Sequence, residues 1–173
     1  MQLDFEIDKL THSLEDMLTG EILATEVAPL DKSDLQFLTK KNGWKFNWKT
    51  EFSGTGKLVY KLVLQRQPGV IQGLVCFKIE FDHVFMDLIE TAPHNYGSNK
   101  RYNGVMGNLV AYGCKLSFEK GFNGEIAFDS KTRLIEHYIK NLGARRFGGQ
   151  RMVMWSDAAA NLVKRYYPEF FNK

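Results

Sequence analysis

The run FMDLIETAP, from Phe85 to Pro93, carries two carboxylates, Asp87 and Glu90. It leads through a polar loop into RYNGVMGNLVAYG, from Arg101 to Gly113. A strand carboxylate can accept a proton from a reacting group. A glycine turn that opens a helix leaves backbone N–H groups unpaired, and the helix dipole adds partial positive charge beside them. Together they read as a base next to a diphosphate cradle, with Lys100 and Arg101 at its rim. Each also has a plainer reading, as a salt-bridged strand carboxylate and as a tight turn. Alternation puts Glu90 on the face of Val84, Met86 and Leu88, and Asp87 on the opposite face with Phe85 and Ile89. Glu90 is the preferred base because it lies nearer the glycine loop.

Other chemistries are missing from the chain. It has no G-x-x-x-x-G-K-[ST] run, no dinucleotide fingerprint and no G-x-S-x-G elbow. His12, His83, His94 and His137 stand apart, so no metal is expected. Cys76 and Cys114 sit in apolar contexts as small hydrophobes, which suits a reducing cytoplasm. No apolar run approaches the ~18 residues of a membrane span. The opening MQLDFEIDKL lacks the basic-then-apolar order of a secretory signal.

The 173 residues are 44% hydrophobic and 25% charged, the composition of one folded domain. A net charge of +3 hides a split: residues 1–30 carry seven acids and one base, leaving the rest with 22 bases against 13 acids. A basic body suggests an anionic ligand, either a nucleic acid or a phosphate-bearing small molecule, or else an ordinary solvated surface. Trp44, Phe46 and Trp48 alternate with Lys45, Asn47 and Lys49 as a half-buried strand would. They could stack bases, but one face of a core is preferred.

The elements that must position these residues follow in order. Leu10, Leu14, Met17 and Leu18 share a helical face, so residues 1–20 read as a helix or arm, followed by a single domain over 21–173. A strand over Ile22–Val27 and a short helix capped by Ser33 or Asp31 come next. Strands at Trp44–Trp48, Leu58–Leu64, Val70–Ile79 and Val84–Thr91 form an antiparallel meander. Then come a helix over Val105–Lys120, a strand over Glu125–Phe128 and an amphipathic helix over Thr132–Leu142 that ends at Gly143. A strand over Met152–Trp155 and a helix over Asp157–Tyr167, capped by Ser156 and stopped by Pro168, complete a mixed α/β (α+β) domain.

This order, with LSFEKG closing the long helix and IEHYIKNLGA in the next, resembles the GNAT superfamily of acyl-CoA-dependent N-acyltransferases. The resemblance spans roughly Glu21 to Tyr167, and TEVAPLDKSDLQFL is similar to the superfamily's first strand and helix. Its phosphate loop, [QR]-x-x-G-x-[GA], is matched by Arg101 and Gly104, with Met106 where Gly or Ala is usual and Gly107 following. Its tyrosine helix, F-Y-x-x-x-G-F, is matched by Tyr138, Gly143 and Ala144 with one extra residue before the glycine; the Asn that often precedes it is Lys131 here.

The resemblance implies a central, mostly antiparallel sheet flanked by helices. It also implies acetyl transfer from acetyl-CoA to a primary amine by direct attack in a ternary complex. Gly104, Val105, Met106, Gly107 and Asn108 would hold the diphosphate with Arg101, and the backbone of Ile89 and Thr91 the pantetheine arm. Tyr138 would be the acid for the leaving thiolate, with Glu90 or Asp87 as base. The acceptor would be a small-molecule or protein amine. A homodimer through the C-terminal strand and helix is compatible with this but carries no pattern of its own. Met106 and the missing Asn favour a second reading, a non-catalytic domain that binds CoA or a protein. A nucleic-acid module is the third.

Overall fold

The computed structural model describes residues 1–172. Among them β1 (Gln2–Leu3), β2 (Leu14–Asp16), β3 (Ile22–Leu23) and β4 (Thr25–Pro29) precede α1 (Trp48–Ser53). Three long strands follow: β5 (Lys57–Leu64), β6 (Gln67–Ile79) and β7 (Val84–Thr91). Next come β8 (Tyr102–Asn103), α2 (Val105–Glu119), β9 (Ile126–Ser130), α3 (Ile135–Leu142), β10 (Arg145–Gly148), β11 (Arg151–Met154) and α4 (Ser156–Tyr166). No helix among the described residues is long and apolar enough to cross a membrane.

The main sheet runs β10-β11-β9-β7-β6-β5-β4, with β1 beside β9. It is antiparallel except where β9 pairs in parallel with β7 and with β1. A small sheet, β3-β2-β8, ties the start of the chain to the glycine loop. The largest core cluster lies between the main sheet and α2, α3 and α4. A second cluster on the opposite face gathers Trp44, Trp48, Val59, Leu74, Cys76 and Leu88.

The meander forms as alternation dictates, although the turn before β6 falls at Gln65-Arg66, two residues ahead of the expected Gln67-Pro68-Gly69. Three local expectations are corrected. The Trp44–Trp48 run is a loop entering α1, not a strand. Asn47 accepts a hydrogen bond from Thr50 N at 3.2 Å and caps the helix, while Trp44 and Trp48 both turn into the second cluster. Burial of both rings leaves no stacking platform for bases. Ser156 is the first residue of α4 rather than its cap, a place taken by Trp155.

The largest correction concerns residues 1–20, which are extended rather than helical. Leu3, Phe5, Ile7 and Leu14 join the main core, whereas Met17 and Leu18 are exposed. Burying alternate residues of an extended chain against a preformed sheet outcompetes a short isolated helix, which is marginal in water.

Candidate active site

β7 pairs in parallel with β9 only at Val84↔Ile126 and Phe85↔Ala127, then the two strands part. Beyond that point β9 keeps β11 on its other edge, out to Arg151↔Asp129. The wedge that opens between β7 and β9 is lined at one end by the splay and at the other by the start of α2. Tyr138 of α3 points into it from beneath, fully buried and packed on Phe128 with ring centroids 5.2 Å apart.

The splay begins beside a bulge. Cys76 pairs with Leu88 and Phe77 with Met86, so Asp87 is the extra residue of β7. A bulge moves the following side chains to the other face. Val84 and Met86 therefore enter the main core, while Leu88 enters the second cluster. Asp87 and Glu90, expected on opposite faces, both lie on the α1 side. Asp87 meets Lys57 at 3.5 Å, Lys78 at 3.6 Å and the Met1 amino group at 3.6 Å. Glu90, only 6% exposed, accepts hydrogen bonds from Lys45 N at 2.7 Å, Phe46 N at 3.3 Å and Trp48 Nε1 at 2.8 Å. Its three hydrogen-bond donors come from the loop into α1 and from the first residue of that helix. That makes Glu90 an anchor for the loop, and it leaves Asp87 as the carboxylate at the splay.

Glu51, Cys76 and Asp87 bring potential ligand atoms within 4.8 Å of one another. The Lys57 ammonium already sits between the two carboxylates, 2.5 Å from Glu51 and 3.5 Å from Asp87, and Lys78 and the Met1 amino group add further positive charge at Asp87. Burial pushes the Cys76 thiol up to about 12, and the fully buried Cys114 thiol rises too. At pH 8 a thiol of that pKa is roughly one part in ten thousand thiolate, the reactive form. Neither cysteine is expected to react with an aromatic disulfide reagent in the native protein, and both should react in denaturant. Stoichiometric labelling of folded protein would contradict the burial described.

At the far end of the wedge, Gly104 precedes α2 with φ +97°, a conformation that favours glycine. Its N–H points at both oxygens of Asp8, each 3.3 Å away, and Lys100 Nζ lies 3.0 Å from the same carboxylate. Arg101 is turned away from the cradle, onto Asp16 at 3.2 Å. Val105 and Met106 are buried. Gly107 is roofed: a Cβ there would lie 2.5 Å from the Tyr166 hydroxyl and 3.0 Å from Leu10. Asn108 spends its side chain on Ser13 O at 2.9 Å and Gly104 O at 3.0 Å. Ile89 and Thr91 pair with Val75 and Gly73 of β6, and the buried Thr91 hydroxyl has no hydrogen-bond partner.

The wedge is filled by the chain itself. β1 pairs with the outer end of β9, Gln2↔Asp129 and Leu3↔Ser130, on the edge that faces β7. The Tyr138 hydroxyl donates to Phe5 O at 2.5 Å and lies 3.3 Å from Phe5 N. Burial of the phenol raises its pKa, so it holds its proton at neutral pH. His137 Nε2 accepts from Ile7 N at 2.8 Å. Asp4 and Glu6 pair with Arg133, and Asp8 with Lys100. Phe5, Asp8 and His137 carry no motif. The signal for Phe5 and Asp8 is the alternation Leu3-Asp4-Phe5-Glu6-Ile7-Asp8, a period of two beside the helical spacing that begins at Leu10.

No family model and no curated protein sequence matches the chain. Solved structures do. Spermidine N-acetyltransferase of Vibrio cholerae in complex with CoA and spermine aligns at 14% identity and TM-score 0.55, covering 79% of this chain and 98% of that one. The spermidine/spermine N-acetyltransferase SpeG of the same organism with manganese ions aligns at 15% and 0.55, covering 80% and 96%. The ribosomal-protein-S18-alanine N-acetyltransferase of Escherichia coli aligns at 15% and 0.53, covering 75% and 92%. At these identities the likeness is one of fold, a mostly antiparallel sheet flanked by helices: the chain is built on the GNAT fold.

Proposed function

We propose that the protein is an acyl-CoA-dependent N-acyltransferase that moves an acetyl group from acetyl-CoA to a primary amine. One observation carries the reading. The wedge between β7 and β9 already accepts an extended amide chain, offers it a phenolic proton at Tyr138, and ends in an anion at the start of α2. Those are the demands of a linear pantetheine amide, a departing sulfur and a diphosphate, so the residues fit the group. Acetyl-CoA supplies the activated thioester carbonyl. Gly104 N–H and Lys100 hold the diphosphate, Asp87 takes the amine proton, and the Tyr138 hydroxyl carries the proton that quenches the sulfur. Spermine in the Vibrio complex and the alanine acceptor of the Escherichia enzyme are primary amines, and a small-molecule or protein amine is the acceptor class proposed here.

Millimolar acetyl-CoA should raise the melting temperature by roughly 5–10 °C where it reaches about 100 times its Kd. Mixed-sequence DNA or RNA should give no shift. Asp87→Asn should keep the shift and lower turnover of a responsive amine by at least ~100-fold, the scale of a lost general base. Absence of any shift defeats the cofactor reading. Full turnover in Asp87→Asn removes that residue from the chemistry.

One observation favours a second reading, a GNAT-fold domain without catalysis: the wedge is occupied by the protein's own residues 2–8.

A further inference from the structure

We infer that residues 2–8 are a displaceable plug, an intramolecular stand-in for acyl-CoA that leaves the wedge when the cofactor binds. This rests on the acyl-CoA reading above.

The likeness is chemical and runs along the whole segment. β1 supplies backbone amides between the parted strands. Phe5 presents a carbonyl to the Tyr138 hydroxyl, where the proposed chemistry needs an acceptor for that proton. Asp8 brings a carboxylate to Gly104 N–H and Lys100, where a diphosphate would sit. Asp4 and Glu6 pair with Arg133, an exposed cation just ahead of α3. The acidic arm thus satisfies basic groups of an otherwise basic body, and its Asp8 does so at the head of α2 where a diphosphate would lie. An arm that only completed the sheet would need its apolar residues, Leu3, Phe5 and Ile7. It would have no need of a carboxylate on the helix N-terminus.

The geometry also gives the plug a hinge. β2 stays tied to β3 and β8, and Asp16 accepts from Leu18 N at 2.8 Å. Thr11 N donates to the Tyr166 hydroxyl at 3.1 Å. Residues 2–8 lie upstream of both ties, so they can leave while the small sheet holds. A segment tethered this closely competes at an effective concentration of about millimolar. A wedge open about one part in thirty of the time weakens apparent cofactor affinity about thirtyfold. Release exposes Leu3, Phe5 and Ile7, so the arm returns whenever no ligand covers that surface.

The test locks the arm. Leu3 and Ser130 are register partners on parallel strands, a spacing of about 5 Å that a disulfide can span. The double variant Leu3→Cys with Ser130→Cys is compared oxidised and reduced, by calorimetric titration with CoA. The wild-type chain is followed in parallel by hydrogen exchange at the Phe5 and Ile7 amides. The expected result is at least ~30-fold weaker CoA binding when oxidised, recovered on reduction. In wild type, both amides should exchange faster as CoA saturates. Equal CoA affinity in the two redox states, or unchanged protection with CoA bound, overturns the plug and leaves the acyl-CoA reading standing. No CoA binding by wild type or by the reduced variant overturns both, and makes the arm a permanent strand.

Discussion

Glu90→Ala is expected to lower the unfolding free energy by about 3 kcal/mol, read as a reduced urea midpoint with an unchanged slope. The carboxylate is the shared acceptor for Lys45 N, Phe46 N and Trp48 Nε1. Removing it strands the indole N–H of a fully buried Trp48, where no water can replace it. Lys45 is exposed and Phe46 half-buried, so their N–H groups recover part of the loss from solvent. A buried donor left unpaired costs about 1–3 kcal/mol, more when its lost partner was charged. Glu90→Gln keeps one acceptor oxygen but points an NH2 group at the same donors, and should fall between wild type and Ala. Unchanged stability together with lost turnover would return Glu90 to the role of base.

Tyr138→Ala is expected to cost about 4 kcal/mol, within the range for deleting a buried aromatic ring. The ring packs between Phe5 and Phe128, with centroids 5.1 and 5.2 Å away. Tyr138→Phe keeps that packing and removes only the hydroxyl, which should cost about 1–2 kcal/mol through the unpaired Phe5 carbonyl. The two variants separate the ring from the proton. If the hydroxyl serves both the arm and the leaving sulfur, Tyr138→Phe should bind CoA more tightly while turning over more slowly. Weaker CoA binding in Tyr138→Phe would place the hydroxyl on the cofactor alone.

The elements legible in the sequence share a trait: their pattern is local and strong. β5, β6 and β7 are long apolar-rich runs separated by short turns, and α3 shows an apolar stripe closed by Gly143 in a left-handed conformation. β10 was not legible, because all four of its residues are exposed and it has no buried face to set a period. The Trp44–Trp48 alternation misled for the opposite reason. Its two tryptophans are buried, but by a capped helix start docking on the sheet, and a period of two over five residues also suits an irregular loop. Among the candidate site residues, Tyr138 lies at the wedge and Gly104 at the head of α2. Arg101 was assigned from the loop motif, Asn108 from its place in the first turn of α2 and Glu90 from its place late in β7; in the structure Arg101 pairs with Asp16, Asn108 bonds Ser13 O and Glu90 accepts from Trp48 Nε1.

The amino-acid sequence by itself determined the fold class, the order of the long strands and helices from β5 to α4, and the glycine-led helix, because hydrophobic pattern and turn chemistry act within a few residues. It also determined that an acidic first segment precedes a basic body. Only the tertiary structure put Asp87 and Glu90 on one face, because a single bulged residue in β7 inverts the faces downstream of it. Only the tertiary structure brought Asp8 to Gly104 across nearly a hundred residues, since pairing of a strand with a distant edge depends on where that edge is left open. The charge asymmetry visible in the sequence is partly resolved there: the acidic segment pairs with cations of the basic body, Asp8 with Lys100, Asp16 with Arg101, and Asp4 and Glu6 with Arg133.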